Sequence, residues 1–372
     1  MNDPAGSGAR VLHVFATFAP GGPQVRATRL LPELPRDWRH AIVALDGNTA
    51  ARTLLAQELG VELLPAPPRA GTLRTTRALA RLLVTWRPDL LLTYNFGALD
   101  ALLAARLTGL RAVVHHEDGF LPDEVAGFKR RRVWARRLVL PGTHAVIVPS
   151  HRLEEIARTL WHLAPPHLLR IPNGLAPGDF PERDGNPRRR AELGIGAEEL
   201  VVGSVGHLRP EKNPVRLVEA MGAVAGHLLM LGDGPERPRV EAAARAAGLG
   251  SRLHLVGHRV APQADYQAMD VFALSSDTEQ MPVALLEAMA SALPVVATDV
   301  GDVRRILPEE QGELVVPAAA GPAGLARALQ RLLADPALRA RLGRANRARV
   351  EREFSFERMV SAYRSVYGRA LG

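Results

Sequence analysis

The chain has 372 residues, of which 47% are hydrophobic and 23% charged, which fits two folded domains and excludes a disordered or collagen-like protein. It contains no cysteine, which excludes disulfides, thiolate metal ligands and a cysteine nucleophile. The formal net charge of +8 favours anionic partners such as nucleotide phosphates, lipid phosphates, an acidic membrane surface or nucleic acid.

Short apolar, β-branched runs recur in the first half of the chain and are predicted to be strands. They are Val11–Phe15, Ala41–Leu45, Val61–Leu64, Leu90–Tyr94, Ala112–His115 and Ala145–Pro149. Segments with helical spacing, such as Thr72–Thr85 and Leu99–Leu107, lie between most of them. Strands that alternate with helices indicate a parallel sheet covered on both faces, an α/β fold.

The segment "APGGPQ", residues 19–24, follows the first predicted strand. Gly21 and Gly22 would let the backbone approach a phosphate or a sugar closely. An ordinary tight turn explains the same residues without a function. The spacing is not G-x-G-x-x-G, so the dinucleotide-binding fingerprint is missing.

The segment "VVHHEDGF", residues 113–120, places four polar residues at the end of a predicted strand. Ligands of such sheets bind at the carboxyl ends of strands, so His115, His116, Glu117 and Asp118 are candidates for orienting acceptor or sugar hydroxyls. Metal ligation is the rival interpretation. It is disfavoured because adjacent strand residues point to opposite faces.

The segment Lys129–Arg137, "KRRRVWARR", holds six cations in nine residues. It is predicted to rest on an anionic bilayer or to hold a lipid diphosphate, unless it is simply a solvated helix face. Nucleic acid is not expected, because no recognition motif accompanies the charge. No apolar run is long enough to cross a bilayer and residues 1–10 resemble no signal peptide, so we expect a cytoplasmic protein that can also bind peripherally at the inner membrane face.

The second half repeats the alternation of strands and helices. Its predicted strands are Val201–Val205, Leu228–Leu231, Leu253–Val256, Val271–Leu274 and Pro294–Ala297. The polar run "PERDGNPRRR", residues 181–190, is a predicted linker. We therefore expect domains at 1–180 and 181–354, followed by a long final helix within 355–372.

Two basic residues follow the first strand of the second half, in "VVGSVGHLRPEKN". Gly203 and Gly206 permit close backbone approach, and Arg209 and Lys212 are placed to neutralise a diphosphate. An exposed basic turn is the alternative.

A polar turn after Val271–Leu274 leads into an apolar helix that is predicted to begin near Met281 or Pro282. Its free amides suit an anion such as a diphosphate. Glu279 lies in the turn and Glu287 lies inside the helix, so separate targets are expected for the two carboxylates. A solvated loop acid and a surface helix acid are the alternative.

Together these segments resemble glycosyltransferase family 4, retaining enzymes of the GT-B fold. The strongest resemblance is the E-x7-E pattern of Glu279 and Glu287, supported by "GHLRPEKN", "LLMLGDGPE", "IPNG" and the N-terminal "PGG". The resemblance implies two doubly wound Rossmann-like domains that face a central cleft. The first would bind the acceptor and the second the donor, and the last helix would cross back to the first.

The resemblance also implies residue roles. Arg209 and Lys212 would hold the diphosphate, Glu279 the sugar and Glu287 the ribose, while His116 would be catalytic. Further contacts to the donor would come from Gly21, Gly22, Gly206, Met281, Pro282 and Val283. Glu117, Asp118 and Asn173 are the candidates for orienting acceptor or sugar, and "HHEDG" leaves the catalytic position open among His116, Glu117 and Asp118.

The expected activity is retaining, hexosyltransferase-type transfer from a nucleotide-diphosphate sugar to a hydroxyl of a glycan, lipid-linked or small-molecule acceptor, in polysaccharide or glycoconjugate biosynthesis. No D-x-D motif occurs, so no metal and no cofactor are expected besides the donor itself. A nucleotide-sugar epimerase or hydrolase of the same fold, and a non-catalytic nucleotide-sugar-binding protein, are the alternatives.

Overall fold

The computed structural model describes residues 8–68, 71–119 and 127–372. The chain divides into two compact units: unit 1 comprises residues 1–172 and 359–372, and unit 2 comprises residues 173–358. Each unit holds one parallel sheet with helices around it, which confirms the predicted α/β class with two Rossmann-like domains. Within the described residues, no helix has both the length and the apolar character needed to cross a membrane.

Unit 1 is built on seven strands. They are β1 (Arg10–Phe15), β2 (Arg39–Ala44), β3 (Glu62–Leu64), β4 (Leu90–Tyr94), β5 (Val113–His116), β6 (Ala145–Val148) and β7 (Leu168–Arg170). Their order in the sheet is β3-β2-β1-β4-β5-β6-β7, and neighbours pair in parallel. The helices are α1 (Gly22–Leu30), α2 (Thr72–Trp86), α3 (Leu99–Thr108), α4 (Arg130–Val139) and α5 (His151–Thr159).

The two faces of this sheet carry different side chains, because alternate strand residues point to opposite sides. Leu12 and Val14 of β1 share an apolar core with buried residues of α2, α3, α4 and α5. His13 points to the opposite face, where its Nδ1 lies 3.0 Å from the hydroxyl of Tyr94. On that face the final helix packs with Tyr367 against His116. Thus α2 to α5 cover one face and the last helix covers part of the other.

Unit 2 is built on six strands. They are β8 (Val201–Val205), β9 (His227–Leu231), β10 (Leu253–Leu255), β11 (Val271–Leu274), β12 (Val295–Thr298) and β13 (Val315–Val316), in the order β10-β9-β8-β11-β12-β13. The helices that follow in the chain are α6 (Pro187–Glu192), α7 (Pro214–Met221), α8 (Arg237–Ala246), α9 (Gln263–Ala268), α10 (Val283–Ala290), α11 (Val303–Ile306), α12 (Gly321–Ala334), α13 (Pro336–Glu353) and α14 (Phe356–Leu371).

The first domain boundary lies at Pro172 rather than at the predicted residue 180. Residues 173–180 belong to unit 2 because Leu175 donates its amide to Phe354 O over 2.9 Å, and Phe180 is buried against Tyr266. The predicted linker 181–190 is also part of this unit. Its Arg190 is buried and its Nη2 lies 2.8 Å from Asp270 Oδ2, so the polar run forms internal ion pairs. The second boundary falls at Arg358, inside α14.

Candidate functional site

The carboxyl edge of the unit 2 sheet carries the charged residues predicted to bind a donor. β8 and β11 are parallel neighbours, so the loops that follow them leave the sheet at the same edge. The loop after β8 begins at Gly206, whose φ of 156° is a conformation that glycine adopts readily and other residues rarely. Its amide donates to Leu231 O over 2.9 Å, which fixes the start of the loop.

Lys212 and Glu279 form an ion pair that joins the two loops. Nζ of Lys212 lies 2.6 Å from Oε1 and 2.8 Å from Oε2 of Glu279. The hydroxyl of Ser276 donates a third bond to Glu279 Oε1 over 2.7 Å. The Lys212 side chain is 35% exposed and that of Glu279 is 6% exposed, so the ammonium faces solvent. The pair as a whole is neutral, and it fixes the position of the ammonium at this edge of the sheet.

Arg209, the second predicted cation, lies in the same loop but extends away from Glu279. Its side chain is 51% exposed, and its guanidinium lies 3.9 Å from the carboxylate of Glu211. Since that distance is beyond hydrogen-bonding range, the pair with Glu211 is weak. Arg209 is thus the more exposed and less tightly paired of the two cations, and Lys212 is the one held by short bonds.

Several further bonds hold the two loops together. Arg216 donates from Nη1 to Ser275 O over 2.9 Å and from Nη2 to Asp277 over 2.5 Å. The amide of Asp277 donates to Glu211 O over 2.9 Å. The Ser275 hydroxyl donates to Asn213 O over 3.0 Å. These bonds fix the loop backbones on both sides of the Lys212–Glu279 pair.

α10 begins directly after the second loop, one residue later than the latest predicted start. Pro282 occupies the position before the first helical residue, where its missing N–H costs nothing, and Val283 begins the helix. The helix N-terminus therefore follows Glu279 closely in the chain, which brings free backbone amides to the loop that holds this carboxylate.

Glu287 has a different partner from Glu279. Its Oε2 accepts a hydrogen bond of 2.8 Å from the hydroxyl of Tyr266 on α9. Burial, and then the adjacent Glu287 carboxylate, raise the pKa of the Tyr266 hydroxyl well above 10, so it stays protonated and remains a donor. The two glutamates thus have separate environments, as their spacing predicts.

Asn173 belongs to unit 2 and contacts the loop between β11 and α10. Its side-chain amide donates to Met281 O over 3.2 Å, and its backbone amide lies 3.1 Å from the Met281 sulfur. The resemblance grouped Asn173 with residues that orient an acceptor or a sugar. The structure instead places it beside the start of α10, where it supports the backbone of the second loop.

His116, predicted to be catalytic, is fully buried in unit 1. Its Nε2 lies 2.9 Å from the hydroxyl of Tyr367, its Nδ1 lies 3.1 Å from Thr93 O, and its ring stacks on Tyr94. Burial, and then the nearby charge of Arg26, lower its pKa well below 6.5. Both imidazole nitrogens are bonded inside the core of unit 1 in this structure, and the catalytic role of His116 stays a prediction.

Glu117 and Asp118 are ion-pair residues. Glu117 is fully buried, and its two oxygens each lie 3.1 Å from a guanidinium nitrogen of Arg136. Burial by itself would raise the pKa of Glu117, and the charge of Arg136 holds it below 4.5. Asp118 pairs with Arg26 through both of its oxygens. Arg136 and Arg26 therefore bind the oxygens of these two carboxylates in this structure, and their role in orienting acceptor hydroxyls stays a prediction.

Gly21 and Gly22 lie in unit 1, at the start of α1. Gly21 precedes the helix in an extended conformation, and Gly22 is its exposed first residue. A Cβ added at Gly22 would meet nothing within 4 Å, so its lack of a side chain leaves the backbone open to solvent. The predicted close approach of a ligand is compatible with this exposure and stays a prediction.

No cluster of three or more His, Asp or Glu side chains with the geometry of a metal site occurs in residues 8–68, 71–119 and 127–372. In the loops after β8 and β11, Lys212 and Arg216 are held by short bonds to carboxylates, whereas Arg209 is exposed and weakly paired. The arrangement therefore offers one tightly bonded cation, one exposed cation and a helix N-terminus, and cations and helix N-termini favour negative charge.

Sequence reasoning missed two residues of this site. Ser276 stands three residues before Glu279, so "SDTE" is a form of the S-x-x-E pattern in which serine and glutamate interact locally, and this signal was present. Tyr266 stands on α9, 21 residues before Glu287, and no spacing rule connects them. Only the fold brings that pair together.

Comparisons with known proteins find matches to both halves of the chain. The family profile described as "Glycosyl transferases group 1" matches residues 186–349, and "Glycosyl transferase 4-like domain" matches residues 21–174. A 2-deoxystreptamine N-acetyl-D-glucosaminyltransferase of Streptomyces fradiae is 30% identical over 79% of this chain and 75% of its own length. A lipopolysaccharide core biosynthesis glycosyltransferase of Rhizobium meliloti is 31% identical over 47% of this chain, which spans about half, 51%, of that relative. The Anabaena protein HepE, solved in complex with UDP, superposes with a TM-score of 0.82 at 20% identity over 97% of this chain and 100% of its own.

Proposed function

The chain belongs to glycosyltransferase family 4, the glycosyl transferases of group 1, and we propose that it is a retaining enzyme that transfers a hexosyl group from a nucleotide-diphosphate sugar to a hydroxyl group. The Lys212–Glu279 pair at the carboxyl edge of the unit 2 sheet carries the proposal. A cation held by a buried carboxylate, next to a helix N-terminus, is suited to a diphosphate. HepE is solved with UDP bound, so uridine diphosphate is the first nucleotide to test on this chain.

In the proposed reaction the bond between the anomeric carbon and the diphosphate oxygen breaks, and a bond from that carbon to the acceptor oxygen forms on the same face. The acceptor proton passes to the departing diphosphate oxygen. The protein's main task is then to stabilise the charge that develops on the leaving group. Lys212, Arg209 and the first amides of α10 would supply that stabilisation, and Glu279 would hold Lys212 and bind the sugar.

Glu287 would bind the ribose hydroxyls of the donor. The hydroxyl of Tyr266 donates to one oxygen of its carboxylate, which fixes the orientation of the group. Gly206, Met281 and Val283 would contribute backbone amides to the diphosphate and sugar, and Pro282 would shape the helix start. Gly21 and Gly22 stay candidates for further contacts to the donor. No metal is required by this proposal, because two cationic side chains take the role of a divalent ion.

The acceptor is proposed to be a glycan, a lipid-linked sugar or a small molecule at or near a membrane. Peripheral contact was predicted for residues 129–137, but at least three of the six cations have partners within unit 1, and one of them, Arg132, lies over the ring of Phe96. Arg136 is paired with buried Glu117, and Arg137 donates from Nε to Leu160 O over 2.5 Å. Arg130, Arg131 and Trp134 are exposed and are the members of the segment available to a bilayer.

The deciding experiment measures UDP release from UDP-hexoses, with and without acceptor extracts, together with the anomeric configuration of the product by NMR. We expect acceptor-dependent release and an unchanged anomeric configuration. Release that acceptors do not stimulate would indicate a hydrolase or epimerase, and tight binding without turnover would indicate a sensor.

Variants of the ion pair connect the activity to the site. Lys212→Ala is expected to lower kcat by about 10²–10³-fold, the usual effect of removing one stabilising donor from a developing oxyanion. The matched control is Arg331→Ala, since Arg331 pairs with Glu313 on the surface of the same unit, with side chains 55% and 76% exposed. A Lys212→Ala enzyme with wild-type kcat would refute the assignment.

A further inference from the structure

Large apolar side chains are exposed in a restricted part of the described chain. Six of them are more than 60% exposed: Leu73 (63%), Val84 (61%), Leu107 (68%), Trp134 (62%), Leu138 (70%) and Val260 (82%). All but Val260 belong to α2, α3 and α4. Single exposed apolar residues need no explanation, but a group of five on three consecutive helices does.

These three helices are neighbours in one layer of unit 1. Buried residues of α2, α3 and α4 share the same core with Leu12 and Val14, so the helices cover one face of the sheet. α2 packs along α3, and the C-terminal ends of α3 and α4 are joined by Arg106, whose Nη2 donates to Val139 O over 2.8 Å. The exposed apolar side chains therefore lie on the outer side of a single helical layer.

Arginines are interleaved with the apolar residues on α2. Arg74, Arg77 and Arg81 are all exposed. At about 100° per residue, these three arginines fall within an arc of about 100° together with Leu73 and Val84. The outer stripe of α2 thus combines positive charge and apolar surface along its whole length.

α4 shows the same combination. Arg130 and Arg131 are exposed and share an arc of about 100° with Trp134 and Leu138. Neither α2 nor α4 contains an acidic residue. On α3 the single acid is Asp100, which is half-buried in the first turn.

We propose that the outer side of α2, α3 and α4, the α2–α4 surface, is a docking face for an anionic lipid bilayer. Arginines reach lipid phosphates while Trp134, Leu138 and the α2 apolar residues enter the headgroup region. The exposed arginines of α2 and α4, two helices without acidic residues, alternate with aromatic and aliphatic side chains, which matches the charge and polarity of that interface. The proposal does not rest on the reaction that the enzyme catalyses.

Helix α13 shows that arginine alone does not define such a face. Arg341, Arg344 and Arg352 are exposed, and at about 100° per residue they fall within an arc of about 80°. No large apolar side chain is exposed on α13 among the described residues, and the helix carries Glu351 and Glu353. α13 therefore supplies a control with the same number and type of charges on one side of a helix.

The test is flotation of the full chain with vesicles of phosphatidylcholine, with or without phosphatidylglycerol. Wild type is expected to bind the phosphatidylglycerol vesicles and to dissociate as salt rises. Reversing the α2 charges with Arg74→Glu, Arg77→Glu and Arg81→Glu is expected to weaken partitioning by about a hundredfold or more. The control triple Arg341→Glu, Arg344→Glu and Arg352→Glu is expected to bind like wild type.

If both triple variants lose binding equally, the net charge of the chain alone explains binding to the vesicles, and the proposal is overturned. So would binding that ignores phosphatidylglycerol, or absence of binding at low salt. A second measurement is Trp134 fluorescence, which is expected to shift to shorter wavelength on phosphatidylglycerol vesicles and to lose that shift in Trp134→Phe. Binding of UDP, measured by thermal shift without acceptor, should be unchanged in every variant. A failure of the membrane proposal is therefore distinguishable from a failure of the proposed activity.

Discussion

The hydroxyl of Tyr266 donates a 2.8 Å hydrogen bond to Oε2 of Glu287, from a side chain that is itself completely buried. The tyrosine stands behind the carboxylate and is covered by Phe180 and Phe272. It is thus a positioning residue for Glu287, since its own atoms are shielded from any ligand in unit 2.

Tyr266→Phe removes this bond and keeps the ring. A hydrogen bond to a charged acceptor contributes about 1.5–3 kcal/mol, so we expect the KM for donor to rise by about tenfold or more with a smaller change in kcat. Steady-state kinetics with varied donor measure the split. In Glu287→Ala the added Tyr266→Phe change should have little further effect on KM. Additive effects of the two substitutions would contradict the positioning role.

Gly301 lies directly against the backbone of Glu279. Its φ is 55°, and a Cβ at this position would lie 2.1 Å from Glu279 O, a distance that forces the loop to move. We expect Gly301→Ala to lower kcat by about tenfold or more, because Glu279 and Lys212 shift together. Gly248→Ala is the matched control, since Gly248 has a φ of 65° and its Cβ would meet nothing within 4 Å. If both variants lose activity equally, backbone strain rather than the contact with Glu279 is the cause.

The sequence predicts the local parts of this protein well and the long-range parts poorly. The alternation of strands and helices identifies both sheets, because most strands contain a short apolar run, as buried parallel strands do. The short strands β7, Leu168–Arg170, and β13, Val315–Val316, are missed because two or three residues carry no clear pattern. The E-x7-E pattern locates Glu279 and Glu287, and "SDTE" would have located Ser276.

Burial is what the sequence does not reveal in unit 1. "HHEDG" places polar residues at the end of a strand, where a ligand site is the common interpretation. Tyr367 bonds to His116 and Arg136 bonds to Glu117, although both partners lie far along the chain from the cluster. These bonds make the cluster part of the buried core of unit 1. Pairing over such separations depends on the complete fold, so a local pattern could not distinguish this structural role from a functional one.

Chelation of metal ions is expected to leave transfer unchanged. The chain has no D-x-D motif, and in the proposed function Lys212 and Arg209 supply the positive charge that a metal would otherwise provide to a diphosphate. The measurement is the initial rate of transfer after dialysis against EDTA, compared with the rate after adding Mg²⁺ or Mn²⁺. Activity that disappears on dialysis and returns only with a divalent ion would contradict this expectation.

Loss of the Glu117 carboxylate is expected to affect stability and not chemistry. Glu117→Gln leaves the Arg136 guanidinium buried beside a neutral group, and breaking a buried pair in this way costs about 3–5 kcal/mol. Thermal unfolding should show a large fall in Tm, while the Kd for UDP, which concerns unit 2, stays close to wild type. Glu154→Gln is the control, because its pair with Arg170 is partly exposed and should cost about 1 kcal/mol or less. A Glu117→Gln variant that loses kcat while its Tm is unchanged would contradict this expectation and support a role for Glu117 in the reaction.

Acid is expected to destabilise unit 1 through its buried histidines. His13 lies between His40 and Tyr94, with Nε2 3.2 Å from His40 Nδ1 and Nδ1 3.0 Å from the tyrosine hydroxyl. Burial lowers the pKa of His40 from 6.5 to about 4, and burial followed by the nearby His40 lowers the pKa of His13 well below 6.5.

Because these pKa values are lower in the folded than in the unfolded state, the unfolded chain binds more protons below pH 6.5. The stability contributed by the neutral rings is complete above about pH 6.5 and declines as the pH falls toward about 4, by up to about 1.4 kcal/mol per pH unit for each histidine. Urea denaturation between pH 7.5 and 5 measures the slope in a range where most carboxylates remain ionised. His40→Gln removes one titrating ring and should reduce the slope, whereas His258→Gln, which replaces an exposed histidine, should not. A stability independent of pH across this interval, or histidine NMR signals from His13 that titrate near 6.5, would show that the buried rings accept protons without cost.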